Sequence, residues 1–407
     1  MTEHSSRLRN GLRYTLAVCC LSVVWPCVSS GANPEGRVAY VLKGHTATAT
    51  VGAVKFSPTG QHLASVDFDG HFIIWDVRKR QVTGRLRLPA RVPHEIQWDS
   101  KGRKVMCWAQ GAGAFVIDTK TMKCNTVFSE SVQLETNGVR YMATFSLKFS
   151  SNGRWLLRGG DQAILTCIPR TKEPCQRPPF FLEVIDIENR KTRRLDAREI
   201  IVKISSLKNG RFAAIDFRGA LLTGNISRTS TKRVTRNGGD KMVSVITFGA
   251  MDSTSNGRLM AIGGKTGMIE LWQRSPLKKV RTLRVDPQAA TKTESIERVV
   301  TTIGLSADGE EVAAATAGGV VQLWTKGGVK RSLGMKLQAM IAKIGFSPGQ
   351  HRMLAVLDDE GQLHVVRLNG GCRFVVKSVM SYDWSADGHR LAVGGLDDGK
   401  IRIFDVK

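Results

Sequence analysis

The chain has no long stretch in which apolar residues recur with a helical period, and this argues against a helical solenoid. It also lacks the signatures of common enzymes. Gly-x-Ser-x-Gly is absent, His94-Glu95 is not followed by a metal-binding His, and no zinc spacing of Cys and His occurs. Gly264-Lys265-Thr266 has part of a phosphate loop. However, Leu259 stands where that loop's first Gly belongs, and no helix follows whose N-terminus would hold phosphate. Neither a catalytic residue, a metal nor a cofactor is implied, so the protein reads as non-enzymatic. Acidic residues are scarce as well. The 35 Asp and Glu face 60 Lys and Arg, leaving a formal charge of +25. Such an excess points to an anionic partner (nucleic acid, lipid surface or glycan) unless it serves only solubility, and the arrangement of the charges decides between these.

Residues 1–32 stand apart. Arg7, Arg9 and Arg13 precede an uncharged stretch over 14–32 with an apolar core at 16–28 and small residues at Ser30 and Ala32. That pattern predicts a signal peptide or a membrane anchor, and hence a protein exported or held outside the cytoplasm. If the leader is instead another targeting segment, the protein is intracellular. Beyond the leader, Cys167 and Cys175 flank a Pro-rich loop and would suit a disulfide in an oxidising compartment; buried free thiols are the plainer reading.

What the chain does have, over 33–407, is a unit repeated eight times. Each unit is an apolar strand, a polar turn with Gly, a second apolar strand, a small-residue turn and a third apolar strand. The clearest copy, residues 54–77, is VKFSPTGQHLASVDFDGHFIIWDV. Units of this length cannot bury both faces alone and must stack on copies of themselves.

The block LASVDFDGHFIIWDV, with Gly44-His45 upstream, resembles the WD-repeat family, and LAVGGLDDGKIRIFDV near the C-terminus resembles it too. The resemblance implies an all-β fold: one closed β-propeller of four-stranded blades, eight by the repeat count, or seven if unit four or five is misread. It also implies that an N-terminal strand at 37–42 (RVAYVL) completes the last blade, since the chain ends on a third strand. A closed ring has no open sheet edges, in keeping with a monomer. The family further implies a polar tetrad in unit one, His45, Ser65, Asp69 and Trp75, which would satisfy buried polar atoms and be structural.

In any up-and-down blade, first-to-second and third-to-fourth turns lie at one end, and second-to-third turns and blade links at the other. Sorted this way, basic residues gather at the first end. Arg78, Lys79, Arg80, Arg190, Lys191, Arg193, Arg194, Lys278 and Lys279 are the candidate anion-binding group. Several second-to-third turns are acidic instead, as in Asp67-Phe68-Asp69-Gly70 and Asp397-Asp398-Gly399, with Arg218 and Lys265 as exceptions. The basic turns carry no interleaved aromatics, so base-specific readout is not supported. Long connections at 128–142, 160–179 and 285–298 belong to the opposite end and would carry recognition. These observations describe a non-catalytic scaffold that binds an unidentified protein partner and holds an anionic polymer or membrane on its basic face. The alternatives are an intracellular ribonucleoprotein scaffold and a propeller enzyme with a channel site.

Overall fold

A short turn explains why each repeat folds back on itself. In the first-to-second turn of all eight repeats a glycine takes a left-handed backbone, from Gly60 at φ 70° to Gly388 at φ 73°, a conformation costly for residues with a Cβ. A small polar residue opens the turn and ties its far side. Ser57 Oγ accepts from the His62 amide at 3.1 Å, Ser150 Oγ from Trp155 at 2.8 Å and Ser385 Oγ from Arg390 at 2.9 Å. The small polar residue and the glycine are therefore the two halves of one hairpin device.

The computed structural model describes residues 37–406 except 94, 131, 136–137, 166–179, 207–209, 229–230, 235–249, 255, 265, 286–295, 332, 334, 336, 350–351 and 369–371. The leader expected at 1–32 and the cysteines Cys167 and Cys175 lie outside the described residues. Cys107 and Cys124, in blade two, are free thiols. Among the described residues no helix is long and apolar enough to cross a membrane.

The repeats form eight antiparallel sheets, which settles the blade count at eight rather than seven. The closing strand is in place. Val38–Lys43 pairs antiparallel with Lys400–Asp405, Leu42 opposite Ile401, so the last blade draws one strand from the N-terminal side and three from the C-terminal side. Blade three departs from the expected four strands. The link over 128–142 supplies an extra strand, Val132–Glu135, paired with an extended first strand, Gly138–Phe149. Residues 160–165, read from sequence as the start of a loop, instead continue the second strand, Trp155–Leu165. In repeat five the described part of the first strand is Met251–Ser253.

Each blade is apolar on both faces because both are covered. Every seam between neighbouring blades has its own buried apolar cluster. The seam between blades eight and one holds Leu42, Val51, Phe56, Trp75, Ile401 and Ile403. Strand pairing within blades and burial between them make the scaffold rigid, with the connections free to vary at its two ends.

Candidate functional site

Four features of the ring could carry function: the basic end, the polar network in blade one, the axial channel, and the connections at the far end. The strand order fixes which turns share an end, and the candidate cations fall on the third-to-fourth turns of blades one, three and five and on the strands that follow. Not all are free to meet a ligand. The Arg80 guanidinium lies 4.5 Å from the Tyr40 ring centroid. Arg193 donates to the Ile226 carbonyl of the next blade. Arg194 is held by Glu183 at 3.0 Å, and Lys279 by Glu270 at 3.4 Å. These four serve the fold first. Arg78, Lys79, Arg190, Lys191 and Lys278 are exposed, and among the described residues their side chains form no ion pair.

The network in blade one differs from the expected tetrad in one member. Asp67 is its carboxylate, not Asp69. His45 Nδ1 lies 2.9 Å from Asp67 Oδ2, His45 Nε2 lies 2.7 Å from Ser65 Oγ, and Trp75 Nε1 donates to Ser65 Oγ at 2.9 Å. A carboxylate can only accept, so His45 donates through Nδ1 and accepts through Nε2, and the protons run one way from Trp75 through Ser65 and His45 to Asp67. Asp69 contributes its backbone amide, which donates to Asp67 Oδ1 at 3.0 Å. The turn geometry decides this. The first residue of the Asp67-Phe68-Asp69-Gly70 turn points inward and also receives the His71 amide at 2.8 Å, while the third points out. Burial opposes charge on Asp67, but the His45 and His71 hydrogen bonds outweigh it and hold its carboxyl below the usual range.

The trio Ser65, His45 and Asp67 has the composition of a hydrolase triad, yet the His45 and Asp67 side chains and all of Ser65 are fully buried. Each of these side chains is covered and held by the others. Gly44 belongs to the same packing. A Cβ there would stand 2.6 Å from Cη2 of Trp75, which explains glycine before the histidine.

A channel site was among the readings of the sequence, but the residues that line the axis were not. First strands of neighbouring blades meet around the axis, and a hydrogen bond crosses every seam there. Asp383 accepts from the Phe56 amide, Trp98 donates to the Lys55 carbonyl, and Gln97 accepts from the Phe149 amide. Ser146 accepts from the Ile204 amide, Ser205 meets Ser253, and Asp252 accepts from the Leu305 amide. Thr301 donates to the Ile341 carbonyl, and Trp384 to that of Gly345. Charges accompany this ring. Lys55 pairs with Asp383 at 2.6 Å, Lys148 with Glu95 at 3.7 Å, and Lys343 donates to the Tyr382 carbonyl at 2.8 Å. The sequence signal was present as a polar residue at alternate positions of each first strand, such as Glu95 and Gln97 or Ser146 and Lys148.

Lys343 gives a pH test of the channel. Burial first, then the charge of Lys55, bring its ammonium down to about 8 from the usual 10.5. A lysine that holds its proton less tightly when folded weakens the fold fully below the lower value, and the loss disappears as pH rises past the upper one. Lys343→Met is therefore expected to melt above the parent at pH 7, with the gap closing by about pH 10.5. The gap is small because Lys343 is exposed at its surface, which screens the cost of burial. Melting curves of both proteins at the two pH values check this, and a gap independent of pH would refute it.

Comparison with known proteins agrees with this architecture. The family described as WD domain, G-beta repeat matches residues 36–76, which are the closing strand and the first three strands of blade one. The family described as anaphase-promoting complex subunit 4 WD40 domain matches residues 344–407, most of blade seven and the C-terminal part of blade eight. The chain forms an eight-bladed β-propeller, and these two segments of it match WD-repeat families. Among solved structures it is similar to Sqt1 of Saccharomyces cerevisiae, with a TM-score of 0.66 at 12% identity over 92% of this chain and 100% of that one. It is also similar to the computationally designed Ika8 protein, with a TM-score of 0.63 at 16% identity over the same shares, 92% and 100%. These likenesses concern the fold. No curated protein matches the chain in sequence. A rigid ring presenting turns at both ends is the architecture of a protein-interaction scaffold.

Proposed function

We propose that the protein is a non-catalytic interaction scaffold. Its basic end holds an anionic polymer or membrane surface, and the connections at the opposite end engage a protein partner. One observation carries this reading: the exposed, unpaired cations Arg78, Lys79, Arg190, Lys191 and Lys278 share one end of the ring, whereas Asp359, Glu360, Asp397 and Asp398 belong to the other. Cations gathered on one end sum their potentials, and like-signed turns on a fixed frame draw polyanions. The buried network in blade one supports the non-catalytic part, because its Ser, His and Asp are spent on packing.

The test is retention on heparin. Reversing Arg78, Lys79, Arg190 and Lys191 to Glu is expected to weaken binding about tenfold or more at low salt and to flatten its salt dependence, since each lost contact removes about one unit of slope. Reversing Arg91 and Lys377, in links at the opposite end, should leave retention nearly unchanged. Equal losses from the two sets, or no loss from the first, would overturn the proposal.

A further inference from the structure

At the basic end, blades four, five and six enclose a cleft of about 1010 Å³. Arg211 enters it from blade four, Arg258, Arg274 and Arg281 from blade five, and Lys326 from blade six. Two carboxylates also line it, and both are already engaged. Asp308 accepts from Ser306 Oγ at 2.5 Å and from the Glu310 amide at 3.0 Å, and Glu310 pairs with Lys326 at 3.1 Å. None of the four arginines has an ion-pair partner among the described residues. A neighbouring hollow of about 410 Å³ shares Arg211 and Arg274 and adds Arg228 and Lys232.

Arg274 stands between the two hollows and is the informative residue. Its Nη2 is buried without a hydrogen-bond partner. Burial, then the charge of Arg211, work against its own charge. Elsewhere in the ring, buried and half-buried arginines are matched. Arg154 meets Asp186 at 2.8 Å, Arg158 meets Glu183 at 2.7 Å, and Arg233 meets Asp216 at 2.7 Å. Arg158 and Arg402 also leave a nitrogen unpartnered, yet each holds a carboxylate through another one. Two adjacent guanidiniums without a counter-charge in a concave site are what an anion would complete. The guanidinium fork matches the phosphoryl group in bidentate fashion. The volume is that of a ligand pocket, suited to a compact molecule and not to a long chain laid across a surface.

We infer that this cleft binds a compact ligand bearing several phosphoryl groups, either free in solution or displayed as a lipid headgroup. The inference shares the basic end with the scaffold reading but rests on different residues, so the two can fail separately.

Titration calorimetry with inositol hexakisphosphate, and with inorganic phosphate as the weak reference, tests it. Arg211→Gln combined with Arg274→Gln is expected to weaken hexakisphosphate binding about tenfold or more for each guanidinium removed. The parallel pair Arg258→Gln and Arg281→Gln should weaken it in the same direction, which guards against a folding defect in either variant. The rim variant with Arg78, Lys79, Arg190 and Lys191 reversed should lose heparin retention and keep the hexakisphosphate. Sedimentation with phosphatidylcholine vesicles containing phosphatidylinositol bisphosphate identifies the source. Vesicle binding that depends on Arg274 assigns the headgroup, and binding of the free compound alone assigns a soluble ligand. Absence of binding to both, affinity no greater than for inorganic phosphate, or affinity unaltered in the cleft variants would overturn the inference.

Discussion

Leu42→Asp is expected to leave no folded ring at room temperature. Leu42 is 2% exposed and sits on the strand that closes the circle, inside the apolar cluster between blades eight and one. Removing a buried leucine side chain costs about 2–5 kcal/mol. A carboxylate in its place finds no partner among Val51, Phe56, Trp75 and Ile401, and adds several kcal/mol more. Total stability of a domain is about 5–15 kcal/mol, so the sum is comparable with the whole. The effect reaches beyond the seam. Losing the closing strand exposes the edge of Lys400–Asp405, and an open edge invites pairing with other chains. The comparison is Val41→Asp, one residue away on the same strand, where the side chain is 37% exposed and should tolerate the change within about 1 kcal/mol. Circular dichroism and size-exclusion chromatography read both. A Leu42→Asp protein that elutes as a monomer and melts within a few degrees of the parent would mean that closure does not hold the ring.

The next largest effect is expected at Glu183, the centre of a charged triad across blade three. Its carboxylate, 3% exposed, accepts from Arg158 Nε at 2.8 Å and from Arg194 Nε at 3.0 Å. Arg158 is 7% exposed and stacked on Phe128 and Phe181, with ring centroids at 4.2 and 5.0 Å. Glu183→Ala therefore strands a buried guanidinium, a loss of about 3–5 kcal/mol. Replacing the pair together, Arg158→Met with Glu183→Leu, should recover most of that loss, because desolvating two charges nearly offsets their attraction. Urea denaturation of the single and double variants measures the difference. Equal destabilisation in the two would show that packing around Phe128, not charge compensation, holds this part of the blade. The result also bears on the basic end, since it separates Arg194, committed to the fold, from Lys191 beside it, free for a ligand.

The comparison of Arg194 with Lys191 shows where sequence reading reached and where it stopped. Two residues three apart on one basic run look alike on paper. Only the pairing of their strand with Phe181–Asp186 places Arg194 opposite Glu183. Asp67 and Asp69 differ for a similar reason, since two aspartates in one turn are told apart by which of them points into the blade. The cleft of Arg211, Arg274 and Lys326 joins three repeats and could not be seen from any one of them.

Local physics was enough for the rest. A serine or aspartate, a left-handed glycine and short apolar strands dictate hairpins, and hairpins with two apolar faces must stack. The repeat count and the sorting of turns to two ends follow from that alone, because each depends on neighbours along the chain. The closing strand at 37–42 pairs with Lys400–Asp405 at the far end of the chain and was legible only through the family resemblance. Partnership across seams depends on how blades rotate against each other. The ring closure therefore decided what the linear order left open: which cations are neutralised, which carboxylate is buried, and which arginines stand together without a counter-charge.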